Sequence, residues 1–183
     1  MSRCDTAAMK TMPAPSRISP PPARSAMLSA CRTYRYSLWR SWAESPSKHA
    51  PHVLFIGLNP STADENADDP TVRRCVGFAR SWGYSAVCMA NLFAFRATDP
   101  GAMKRAEDPV GPRNNRYLRD LAANADLVVA AWGTHGSFMG RDQQVRAMLP
   151  KLHCLRLTQR GHPAHPLYLP QSLTPVPWES GSP

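Results

Sequence analysis

Five cysteines are too few and too scattered for most of the roles that cysteine plays. Cys4, Cys31, Cys75, Cys88 and Cys154 include no Cys-x-x-Cys pair, so neither a disulfide framework nor an iron–sulfur cluster has its ligands, and reduced thiols in a cytoplasmic protein are expected. No run approaches the roughly 18 apolar residues of a membrane span. Pro13, Pro15, Pro20, Pro21 and Pro22 interrupt the segment where a secretory apolar core would lie, so no membrane partner is expected. No Gly-x-Gly-x-x-Gly follows an apolar run and no Gly-Lys-Ser/Thr phosphate loop occurs, which argues against a dinucleotide or P-loop site. Ser61 follows an apolar run but lacks the Gly-x-Ser-x-Gly elbow of a serine hydrolase. His162 and His165 have His-x-x-His spacing without a clear third ligand, so no metal is expected, and nothing in the chain calls for a cofactor.

What remains is one globular domain with tails. The 183 residues are 43% hydrophobic and carry a net charge of +9, enough apolar content for a core that stands without staples. Residues 1–50 hold eight Lys/Arg against Asp5 and Glu44, so most of the basic excess belongs to the leading segment. That excess reads either as a solvated tail or as electrostatic help in binding nucleic acid. Composition divides the chain into a disordered Pro/Ser/Ala-rich tail over 1–33, a domain over 34–170 and a C-terminal tail over 171–183. Tyr34, Tyr36, Leu38, Trp39 and Trp42 suggest a short amphipathic element packed on the domain, which is expected to be a monomer.

From Pro51 onward strand and helix signals alternate. Val53–Ile56 reads as a buried strand, Asp69-Pro70 as a helix start with Val72, Cys75, Val76 and Ala79 facing inward, and 86–92 as a second strand. A long loop over 93–111 precedes a helix opening at Pro112, with Leu118, Leu121 and Ala122 inward. Leu127 to Trp132 is a third strand, 141–149 a third helix, and 152–158 the last strand. The alternation predicts a three-layer α/β/α domain around a four-stranded, mainly parallel sheet with right-handed crossovers.

Ligands of such sheets gather beyond the carboxyl ends of the strands. Four strand ends therefore supply the candidates: Gly57, Asn59, Pro60 and Ser61; Asn91 and Phe93; Trp132 with Gly133; and His162 with His165. Arg73, Arg74 and Arg96 are the candidate phosphate contacts.

Two resemblances rest on these residues. GLNPSTAD, DDPTVRRC, NLFAFRATDP, AAWG and HPLYLP, all present as written, resemble the motifs of a bacterial family built on a domain of unknown function. More distantly, the order of the edges resembles the uracil-DNA glycosylase superfamily. Its strands end in turn with Gly-x-Asp/Asn-Pro, Asn, Trp-Gly or a similar turn, and His-Pro or Asn-Pro. The resemblance implies that Asn59 orients the attacking water, Asn91 reads the base edge and His162 or His165 supports the leaving base, while in that superfamily an aromatic stacks on the base; Phe93 reads equally as substrate contact or as core. It implies metal-independent excision of a deaminated or modified base, with DNA or a nucleotide as partner. Asn59 departs from the carboxylate of the most active members; an amide can position water but cannot take its proton, so Asp64, Asp68 or Asp69 would have to act if a general base is needed. A non-catalytic nucleotide or nucleic-acid binding module, or a hydrolase of another small substrate, are the alternatives on the same fold.

Overall fold

The run His52–Gly57 is buried at all six positions and Ala86–Asn91 likewise, as a strand covered on both faces must be. In a computed structural model that describes residues 23–43, 50–149 and 151–178, these become β3 and β4 of a single sheet. The other strands are β1 (Arg24–Leu28), β2 (Arg35–Ser41), β5 (Leu127–Ala130), β6 (His153–Cys154) and β7 (Val176–Pro177). The helices are α1 (Pro70–Ser81), α2 (Pro100–Lys104), α3 (Asn114–Asn124) and α4 (Arg141–Met148).

The sheet has seven strands in the order β1-β2-β4-β3-β5-β6-β7, where the sequence suggested four. The expected parallel set β4-β3-β5-β6 forms its middle. Antiparallel partners extend it on both sides: β1 and β2 beyond β4, and β7 beyond β6. β2 occupies the stretch read as an amphipathic element. β1 lies inside the stretch that composition assigns to the leading tail, and β7 inside the C-terminal one. Short edge strands have weak local signatures, because cross-strand partners decide their pairing. The part of the leading tail that precedes residue 23 lies outside the described residues.

Successive residues of each central strand serve opposite faces. Val53, Phe55, Val87, Met89 and Val129 pack with Val72, Cys75, Phe78 and Ala79 of α1. Leu54, Ile56, Cys88, Ala90 and Val128 pack with Leu118 and Leu121 of α3 and Val145 of α4. Two cores on two faces of one sheet make the molecule three-layered. Helix α1 starts where Asp69 accepts the Val72 N–H at 2.8 Å with Pro70 in the first turn, a strong N-terminal cap. α2 repeats this signal with Asp99 and Pro100, inside the stretch read as one long loop. β6, where the sequence suggested a strand over 152–158, is only two residues long, and Leu157 instead forms an isolated bridge to Pro163. Cys75, Cys88 and Cys154 are buried free thiols, whereas Cys31 is disulfide-bonded, so the reading of five reduced cysteines fails there. No helix among the described residues is long and apolar enough to cross a membrane.

Candidate functional site

The carboxyl ends of β3 and β4 open into a cavity of about 500 Å³, lined among others by Arg35, Asn59, Asp69, Asn91, Gly133 and His165. It sits on the α1 face of the sheet. The alternation that sends Met89 to that face sends Asn91 there too.

Asn91 is 4% exposed, and its side-chain Nδ2 is buried without a partner. Its backbone is fixed instead. Asn114 Nδ2 donates to the Asn91 carbonyl at 3.0 Å and to that of Leu92 at 2.8 Å, and Arg141 Nε donates to Leu92 at 2.9 Å. Across the parallel ladder Gly57 faces Asn91. A Cβ on Gly57 would stand 3.0 Å from Asn91 Oδ1, so glycine leaves the amide its space.

Asn59 spends its Nδ2 on the Ala97 carbonyl at 2.7 Å and the Pro60 carbonyl at 3.1 Å. Those bonds tie the β3 loop to the segment after β4 and leave Oδ1 as the atom for a ligand. Pro60 is buried outside the cavity lining, while Ser61 is on it. Asp69, the cap of α1, is the carboxylate that shares the cavity with Asn59. Asp68 is engaged elsewhere, paired with Arg40 at 2.7 Å and Arg24 at 3.0 Å.

The two histidines separate. His165 lines the cavity, and its Nδ1 accepts the Leu167 N–H at 3.3 Å, which assigns the ring proton to Nε2. Burial lowers its pKa, with Asp69 opposing, so the ring stands as a neutral donor. His162 is absent from the lining and faces Asp142 at 3.7 Å.

Other expected residues are part of the core or lie away from the cavity. Phe93 is fully buried and packs on Phe138 at 5.7 Å; it is core, not a stacking platform. Trp132 touches the cavity but is 2% exposed and wedged against Trp178. The aromatic that is free to meet a ligand is Tyr168 on the lining, 83% exposed and 6.0 Å from the His165 ring. Arg73 donates to the Asp68 carbonyl, Arg74 donates to the Leu169 carbonyl and covers the Phe78 ring, and Arg96 donates to the Arg32 carbonyl. None of these three lines the cavity.

Arg35 and Tyr168 of the site were absent from the sequence candidates, and Asp69 entered only conditionally. Arg35 is 3% exposed on β2 and lines the cavity; its strand was read as a peripheral element. Asp69 was read as a cap, which it is, and only conditionally as a base. The basic leading segment also changes meaning. Arg24, Arg32, Arg35 and Arg40 of the β1–β2 hairpin contact the 63–68 stretch, through Asp68, Glu65, the Ala63 carbonyl and the Asp64 carbonyl respectively. They anchor the loop that carries the site.

No curated protein and no solved structure matches this chain. A family model matches residues 35–167, from the cavity arginine on β2 to the turn that holds His165. The chain therefore belongs to the family described as protein of unknown function (DUF1643).

Proposed function

We propose that the cavity binds a nucleobase and that the protein excises a deaminated or modified base from DNA by hydrolysing its N-glycosidic bond without a metal. The observation that carries this reading is Asn91. A 4%-exposed amide whose Nδ2 has no partner costs about 1–3 kcal/mol, a cost that a ligand edge offering one acceptor and one donor removes. The neighbours supply the rest of the chemistry. Neutral His165 offers an Nε2–H to the oxygen on which the leaving base gathers charge. Asn59 Oδ1 and the Asp69 carboxylate are acceptors for an attacking water. The arrangement resembles the order of edges in the uracil-DNA glycosylase superfamily, with Asp69 providing from α1 the carboxylate that Asn59 lacks.

Single-turnover assays on oligonucleotides bearing uracil, hypoxanthine or other modified bases test the reading, beside binding curves for the same DNA. Asn59→Ala is expected to slow excision about 10²-fold with DNA binding largely kept. Asn91→Asp is expected to change which base is accepted, because it replaces a donor by an acceptor. Equal rates for both variants and the parent remove these residues from catalysis. A non-catalytic nucleotide or nucleic-acid binding module is the second reading. It is favoured by Asn59 Nδ2 and one Asp69 oxygen being committed to backbone bonds, and an inactive parent that still binds DNA would establish it.

A further inference from the structure

Three arginines among the described residues are almost fully buried: Arg35, Arg40 and Arg141. Two are saturated. Arg40 pairs with Asp68 at 2.7 Å and donates to the carbonyls of Trp39, Asp64 and Ala67. Arg141 donates to the Leu92 carbonyl, Asn115 Oδ1 and Gln144 Oε1. Arg35 is different. Its Nη1 donates to the Ala63 carbonyl at 2.8 Å, its Nε is buried without a partner, and the edge formed by Nε and Nη2 makes no hydrogen bond. Asp69 lines the same cavity and acts on Arg35 through space, without a contact ion pair. A buried cation left this bare is costly to the fold, and it lies in the cavity that also holds the unpartnered amide of Asn91.

Two parallel N–H donors carrying positive charge fit two adjacent acceptors that carry or develop negative charge. We propose that this open edge of Arg35 binds the O–C–N edge of the departing base and takes up the charge that forms there. The proposal rests on the base-excision reading for the identity of the ligand. In that reaction the C1′–N bond breaks with its electron pair going to the base, where it spreads onto the ring nitrogen and the neighbouring oxygen. The oxygen of water bonds to C1′, and its proton passes by way of Asp69 to the released base. An exocyclic amine at that edge would set a donor against donors, so amino-substituted bases are disfavoured. A phosphate dianion fits less well, because the Asp69 carboxylate shares the cavity, whereas a base becomes anionic only as the bond breaks.

The test is calorimetric titration of the full-length protein with free xanthine, free adenine and inorganic phosphate at one pH, for the parent, Arg35→Gln and Arg35→Lys, with thermal unfolding of each. The parent should bind xanthine at least tenfold more tightly than adenine. Arg35→Gln should lose that preference, and Arg35→Lys, which keeps the charge without the fork, should recover only part of it. If Arg35→Gln does not fold, Arg35→Lys carries the comparison. Unchanged preference in the variants, no binding of xanthine by the parent, or Arg35-dependent binding of phosphate in place of the base each overturns the assignment. Excision assays on the same proteins separate the two claims. Excision that is indifferent to Arg35 leaves the base-excision reading standing alone. An Arg35-dependent preference with no excision of any base leaves Arg35 as a recognition residue in a binding module.

Discussion

Replacing Arg35 by Met should leave the unliganded protein as stable as before or more so, the reverse of what removing a buried charged side chain usually does. Burial pushes the Arg35 guanidinium down to about 10, well below its ordinary range. At about 1.4 kcal/mol per tenfold, that displacement corresponds to a destabilisation on the order of 3 kcal/mol at neutral pH. The sign is fixed by linkage: the folded state holds this proton less tightly than the unfolded chain, so charging the group opposes folding. Against it stands the hydrogen bond to the Ala63 carbonyl, worth about 1.5–3 kcal/mol for a charged donor. Met fills most of the space of the aliphatic stem. The two effects nearly cancel, so a Tm between unchanged and about 4 °C higher is expected for a chain of this size. Arg141→Met is the internal control. It would lose three charge-assisted hydrogen bonds, to the Leu92 carbonyl, Asn115 Oδ1 and Gln144 Oε1, at a cost of about 3 kcal/mol or more. Both variants are compared by thermal and urea unfolding at pH 7 without ligand. If Arg35→Met loses as much stability as Arg141→Met, Arg35 is a structural brace and its bare edge is not reserved for a ligand.

Gly57→Ala should disable the site without unfolding the chain: the new methyl meets Asn91 Oδ1 at 3.0 Å, an amide that no side-chain bond holds. A fall in excision or base affinity of about tenfold or more, with less than about 1 kcal/mol of stability lost, is the expected pair of readings. Gly136→Ala should do the opposite. Its Cβ would lie 2.2 Å from Trp132 Cδ1, closer than atoms can approach, so the buried indole must shift, and urea unfolding should show a loss of about 2 kcal/mol or more. The pH profile reports on His165. Its native pKa lies below the ordinary 6.5 because burial disfavours the imidazolium, so its contribution to stability is complete above 6.5 and is lost as pH falls through that value towards the lower native one. His165→Gln should flatten this part of a stability curve measured between pH 7.5 and 5; an unaltered slope would place the titration elsewhere.

The middle of this fold is readable from local sequence because its determinants are local. β3, β4 and β5 are continuous apolar runs, and α1 announces itself through Asp69 and Pro70. Asn59, Asn91 and His165 could be placed on one cavity because parallel strands share a carboxyl edge. The same reasoning could not choose between His162 and His165, since tandem His-Pro pairs look alike until a turn sends one towards Asp142 and the other towards the cavity. Sequence left Phe93 balanced between substrate contact and core, because a strand-end aromatic has the same neighbours in sequence whether it points into the cavity or onto Phe138. Arg35 and the hairpin were hidden for a deeper reason. Their partners are 28 to 44 residues away in the chain, so no window of sequence contains both the arginine and the loop it holds.

That hairpin bears on how the molecule can be divided. A fragment cut to the family's matched span, 35–167, would keep every residue of the cavity except Tyr168. It would nevertheless strip β1 from β2 and β7 from β6. Two strands now paired on both sides would become raw margins with unsatisfied amides and carbonyls, the kind of surface on which chains stack into aggregates. Arg24 and Arg32 would leave with β1 and its turn, releasing Asp68 and Glu65 from two of their tethers. In this chain the matched span is thus smaller than the sheet it belongs to, and an inactive, insoluble 35–167 fragment would say nothing about the chemistry of the intact chain.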